Sequence, residues 1–165
     1  MEPKMWVCRA GKNSCYIDRI ISESKVFLPW DGYEVDLNLF LDREQFKALV
    51  KQERNVSNPT SISNWAGMLY SFVKEIELND YVLIPEYKSH FYILGYVVGD
   101  YEYDEANTAL HHSRDIKILD THIPRDIFSQ QIVYSLGAYR TVFKVKQPDE
   151  ILRTISNWKA QEEVN

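Results

Sequence analysis

The sequence predicts an α+β domain: a small, mostly antiparallel, curved sheet or barrel of about six strands with helices packed at its ends. Three observations carry this. Strand-like segments are interrupted by two or three helices without the regular strand–helix–strand rhythm that a parallel doubly wound sheet needs. The strongest local signal is a hairpin, Asn79–Pro85 followed by His90–Gly99 across a short turn. The length of 165 residues suits one domain that buries roughly two-thirds of its unfolded surface.

The elements follow in order. Met5 to Gly11 alternates enough for a first strand and is closed by the Gly-Lys-Asn-Ser turn. Tyr16 to Ser22 reads as a short helical turn or a strand. Lys25 to Leu28 is a buried strand, stopped by Pro29 and by the Asp31-Gly32 turn after Trp30. Asp42 to Arg54 is a helix, with Asp42 at the N-cap, Gln45 at the capping-box position and Phe46, Leu49 and Val50 as its apolar stripe. Ser61 to Ile76 is a second helix, with Leu69, Phe72, Val73 and Ile76 on one face. After the hairpin, whose second strand reads as ending at Gly99, comes a polar loop and a strand from about Ser113. Ile123 to Gly137 is a Pro-led turn and a short helix, Thr141 to Lys146 the last strand, and Pro148 opens a terminal helix. Residues 1–147 are expected to form the domain, and 148–165 its last helix or the start of a linker.

Composition narrows the function classes. No apolar run approaches the ~18 residues of a membrane span, and the N-terminus lacks the basic start and apolar stretch of a signal peptide. The expectation is a cytoplasmic chain without a membrane partner, with Cys8 and Cys15 as reduced thiols. The net charge is −5, which argues against a nonspecific nucleic-acid coat. It is unevenly spread: residues 61–110 carry −6 and residues 111–147 carry +3.

Enzyme chemistry finds little support. There is no G-x-S-x-G, no P-loop and no dinucleotide fingerprint, so no cofactor is expected. His111, His112 and His122 with Asp100, Glu102 and Asp104 have the chemistry of metal ligands, but adjacent histidines in a strand point to opposite faces. No metal site is expected from them. Asp80, Glu86 and Lys88 partly match the carboxylate–E-x-K pattern of divalent-metal nucleases, and a nuclease built on them is the alternative reading. Binding is better supported. Trp30, Trp65, Tyr101 and Tyr103 fall where elements begin or end. Aromatic faces at loop ends can stack a planar ring, worth ~1–3 kcal/mol per base, while a neighbouring Asp or Asn reads the ring's edge.

The ordered series "MWVCRAG", "NWAGMLYSFVKEIELNDYVLIP", "YILGYVVGDYEYD", "HHSRDIKIL", "IPRDIFSQ" and "SLGAYRTVFKV" resembles a PUA-like domain. It is similar to the N-terminal recognition module of Mrr-type restriction endonucleases, related to the EVE, ASCH and YTH domains. The likeness spans about residues 5–147.

The resemblance implies a pseudo-barrel whose aromatic pocket accepts a flipped, often modified, base. On this sequence it implies Trp30 and Trp65 as the clamp, Asp31, Asn64 and Asp100 as edge readers, and Tyr101 as a third wall. His112, Arg114 and Arg125 would face phosphate, and the Gly99–Tyr103 strand end would lie beside the pocket. The expected function is a non-catalytic module that reads a modified base in double-stranded DNA and directs a restriction nuclease, supplied as another domain or subunit. A reader of RNA or of a nucleotide ligand is the alternative within the same fold. The restriction enzymes carry a nuclease domain after this module, and nothing of that size follows Lys146. Either an excised fragment or a stand-alone reader fits.

Overall fold

In the computed structural model, which describes residues 3–107 and 109–164, the first strand already shows how the chain is layered. Strand β1 (Met5–Cys8) sends Trp6 and Cys8 into one hydrophobic core and Met5 and Val7 into a second, and all four are buried. A strand with apolar residues on both faces must be covered on both. The remaining strands are β2 (Lys25–Phe27), β3 (Tyr81–Glu86), β4 (Phe91–Tyr103), β5 (His112–Pro124) and β6 (Val142–Lys144). They form one six-stranded sheet in the order β2-β5-β4-β3-β1-β6. Among the described residues only the β1–β3 pair is parallel. The α+β, mostly antiparallel architecture is therefore the one the sequence predicts.

Helices α1 (Ile17–Glu23), α2 (Arg43–Arg54) and α3 (Pro59–Tyr70) cover the first core. Helices α4 (Gln130–Leu136) and α5 (Pro148–Val164) cover the second. Local chemistry sets their ends. The Asp42 carboxylate accepts from Gln45 N, and the Gln45 side chain accepts from Leu41 N, satisfying donors that the first turn of α2 cannot pair. Its Phe46, Leu49 and Val50 are buried, each worth about 1.5–3 kcal/mol. Helix α3 begins two residues earlier than the periodicity suggests, because Asn58 caps Thr60 N and Ser61 N and Pro59 supplies the first turn. It passes into a π-helical turn, Ser71–Glu75. Helix α5 packs Ile151 and Ile155 onto the second core. No helix among the described residues is long and apolar enough to cross a membrane.

Strand β4 does not end at Gly99 but continues to Tyr103. A Cβ at Gly99 would lie 3.0 Å from Asp115 Cβ, so glycine here permits a close strand approach within a register shift rather than a stop. Three such shifts bend the long β4–β5 pair. That bend positions the site. In a flat sheet the end of β2 and the start of β6 would lie on opposite edges at opposite ends. Here Trp30, three residues beyond β2, donates through Nε1 to Thr141 Oγ1, just before β6, at 3.2 Å. The ladder stays open, yet its two edges meet at this seam.

Candidate functional site

A cavity of about 790 Å³ opens at the seam, within the range of sites that hold drug-sized ligands. Helix α3 supplies one wall from Ser61, Asn64, Trp65 and Met68. Their 61–64–65–68 spacing is a single helical face, distinct from Ile62, Ala66 and Leu69, which face the core. Trp30 and Thr141 lie at the join. The remaining wall comes from one end of the sheet: Arg9 and Lys12 follow β1, Tyr87 follows β3, and Tyr139 and Arg140 precede β6. Gly11 makes the turn after β1 with a φ of +83°, and a Cβ there would lie 2.6 Å from the Tyr16 ring. Among the described residues no carboxylate lines this cavity, while three cations do.

Trp30, Asn64 and Trp65 therefore come together as expected, but the tryptophans are not two jaws. Their centroids are 4.5 Å apart at 65°, an edge-to-face contact with no room for a ring between them. Trp30 is only 8% exposed. The Arg54 guanidinium lies 3.2 Å from the Trp65 ring centroid and covers one of its faces. Together the two rings form one wall. Asp31 is exposed on the turn beyond Trp30 and does not line the cavity.

Several other expected assignments are corrected. The Gly99–Tyr103 segment is not beside this cavity. Asp100 is exposed on β4, and Glu102 and Tyr103 border a separate cleft of about 720 Å³ with Glu23, Asp104 and Glu105. That acidic lining repels a phosphate. Tyr101 is 6% exposed and packs edge-on against Phe72 in the first core. Its hydroxyl accepts from Leu37 N, and burial raises its pKa.

His112, expected at phosphate, is 1% exposed. Its Nε2 lies 2.9 Å from the Tyr33 carbonyl, which can only accept, so Nε2 carries the proton. Burial, only partly offset by that bond, lowers its pKa to about 4. Arg114 is 2% exposed and donates to the carbonyls of Gly99, Phe72 and Ile76 at 2.8–3.0 Å. It ties β5 to the β4 bulge and to the end of the π-helical turn, and burial lowers its pKa. Neither side chain reaches a phosphate. Arg125 is half-buried beside the β3–β4 turn, where its N–H donates to His90 O, and is not part of the cavity.

The nuclease pattern does not assemble either. Asp80 and Glu86 stand at opposite ends of β3, about 20 Å apart at ~3.3 Å per residue. Asp80 is buried, accepting from Trp6 Nε1 at 3.0 Å and Glu77 N at 2.9 Å. Glu86 is occupied by Lys88 N and Ser89 N in its own turn. No group of His, Cys, Asp or Glu suited to a metal occurs among the described residues. The thiols are free, with Cys8 buried and Cys15 exposed.

Arg9, Lys12, Tyr87, Tyr139 and Arg140 are among the cavity residues that sequence reasoning missed. Nothing in their segments marks them for one cavity, and they meet through the parallel β1–β3 pairing, which joins residues more than 70 positions apart, and the antiparallel β1–β6 pairing. No curated protein and no solved structure matches the chain. A family model described as "Domain of unknown function (DUF8426)" matches residues 4–146, most of its length, and the chain belongs to that family.

Proposed function

We propose that this domain is a non-catalytic recognition module for nucleic acid, in which the seam cavity accepts a single base with its phosphate. The observation that carries the reading is the lining: two tryptophans in contact, two tyrosines and three cations, with no described carboxylate among them. A planar, anionic ligand fits such a surface. A base stacks against the tryptophan wall, Asn64 offers a donor and an acceptor to its edge, and cations take the phosphate. A modified base flipped out of DNA is the first ligand to test. Unstacking costs a few kcal/mol, which stacking and edge bonds together offset. In that setting the module selects the target of a restriction nuclease.

The same cavity serves an RNA or nucleotide reader, and one observation favours that second reading. Setting aside Arg9, Lys12 and Arg140, the net charge of −5 becomes −8, an overall charge that disfavours a long duplex backbone.

The test is a fluorescence-anisotropy series on matched duplexes with plain or modified cytosine or adenine at one position, beside single-stranded RNA and free nucleotides. Preference for one of these ligands, lost in Trp65→Ala with an unchanged fold, supports the module and names its target. Preference that survives Trp65→Ala removes the tryptophan wall from the site, and no binding to any of them ends the reading.

A further inference from the structure

We infer that Arg9 and Tyr87 form a phosphate subsite in the seam cavity and that its ligand is a phosphomonoester, either a free mononucleotide or the 5′-phosphorylated end of a strand. This rests on the nucleotide reading above and narrows it.

The guanidinium of Arg9 makes no hydrogen bond and no ion pair among the described residues. Its Nε is nevertheless withdrawn from solvent without a partner. The Tyr87 hydroxyl is in the same condition. Buried polar groups are almost always paired. Two orphans on residues that line one cavity mark donors that a small shift of either side chain brings to an acceptor bound there. Both are held in place. The Arg9 guanidinium carbon lies 5.1 Å from the Tyr87 ring centroid and 5.6 Å from that of Tyr139. Arg9 N donates to Thr141 O at 2.8 Å. Ser14 Oγ accepts from Tyr87 N at 3.0 Å and donates to Pro85 O at 3.3 Å, fixing the turn that carries Tyr87.

The acceptor must be anionic. A guanidinium presents a planar fork of N–H donors suited to two phosphate oxygens, and no described carboxylate of the cavity neutralises it. Lys12 and Arg140 are exposed at the rim and add their charge to the same group. Three converging cations favour a phosphomonoester, with its charge near −2, over a phosphodiester, with one charge per group. The rest of the chain carries a net charge of −8, which disfavours a long polyanionic backbone overall. A terminal phosphate is the one that can enter the cavity beside its own base.

The test titrates the full chain with short single strands of one sequence bearing a 5′-phosphate or a 5′-hydroxyl, and with the four nucleoside 5′-monophosphates against their nucleosides. The expected result is binding about tenfold or more tighter for the phosphorylated partner of a pair. That preference is lost in Arg9→Met and reduced in Tyr87→Phe, with circular dichroism and melting unchanged. Mononucleotides binding as well as strands identify a free nucleotide as the ligand; strands binding much better identify a strand end. Equal affinity with and without the phosphate, abolished by Trp65→Ala, overturns the subsite and leaves the base reading standing. A phosphate preference that persists in both folded variants also overturns it. No binding by any probe overturns the nucleotide reading itself.

Discussion

Tyr101 and His112 are joined by a 2.6 Å hydrogen bond in the first core, their rings stacked at 20°. With the His112 proton on Nε2 for the Tyr33 carbonyl, Nδ1 is an acceptor, so Tyr101 donates its hydroxyl proton and accepts in turn from Leu37 N. A continuous relay thus joins β4, β5 and the two loop segments at Tyr33 and Leu37. Tyr33 sits at a left-handed φ of 52°, uncommon for a residue with a side chain. The relay and the Arg54–Tyr33 hydroxyl bond hold it there.

Burial of His112 makes stability pH-dependent. His112 is held neutral with a pKa lowered from 6.5 to about 4. In the unfolded chain it gains a proton below pH 6.5, while in the folded chain it does so only near 4. Stability is therefore complete above about pH 6.5 and falls as pH drops toward 4, by about 3 kcal/mol from this group. Urea denaturation across that window checks this, with His112→Gln flattening the profile. An imidazole that titrates near 6.5 by NMR would refute it.

Arg114→Met removes the donor shared by the Gly99, Phe72 and Ile76 carbonyls, leaving buried acceptors unpaired. The expected cost is about 2–5 kcal/mol, with ligand affinity per folded molecule unchanged. Lost affinity at an unchanged melting temperature would return Arg114 to a phosphate-binding role.

The seam has its own test. Thr141→Val deletes the acceptor for Trp30 Nε1 and is expected to cost about 0.5–1.5 kcal/mol. Trp30→Ala, which empties a nearly buried site, should cost about 3–5 kcal/mol. Hydrogen exchange should quicken around Arg9 and Val142 in both. Protection left at the wild-type level would mean that the edges are held together elsewhere.

Asp80 and Glu86 should separate in their effects. Asp80→Asn weakens the bonds from Trp6 and Glu77 in the interior and lowers stability by about 1–3 kcal/mol. Glu86→Ala loosens only an exposed turn, within about 0.5 kcal/mol. Adding Mg²⁺ should leave the melting temperature unchanged. A Mg²⁺-dependent shift abolished by Glu86→Ala would revive the nuclease arrangement.

What was legible in the sequence was local. Asp42 and Gln45 start α2 where the pattern places them, Gly137 follows α4, and the β3–β4 hairpin stands where its turn signals put it, since each depends on neighbours a few residues away. Gly99 does not reveal its role locally, because a glycine that permits close approach and one that stops a strand look alike until the facing Asp115 is known.

The α+β class, a mostly antiparallel sheet of about six strands, and the placing of Trp30 just after a strand and Trp65 on a helix were determined by the sequence alone, through periodicity, capping and composition; helices on both faces of the sheet, rather than at its ends, came from the tertiary structure. Tertiary structure decided which polar residues are inside. His112 and Arg114 carry the same side chains that would bind phosphate on a surface, and only the path of β5 commits them to carbonyl partners. It also decided the cavity: Arg9, Tyr87 and Arg140 meet Trp65 because the bent β4–β5 pair draws the two edges of the sheet together, a consequence of long-range pairing that no local pattern encodes.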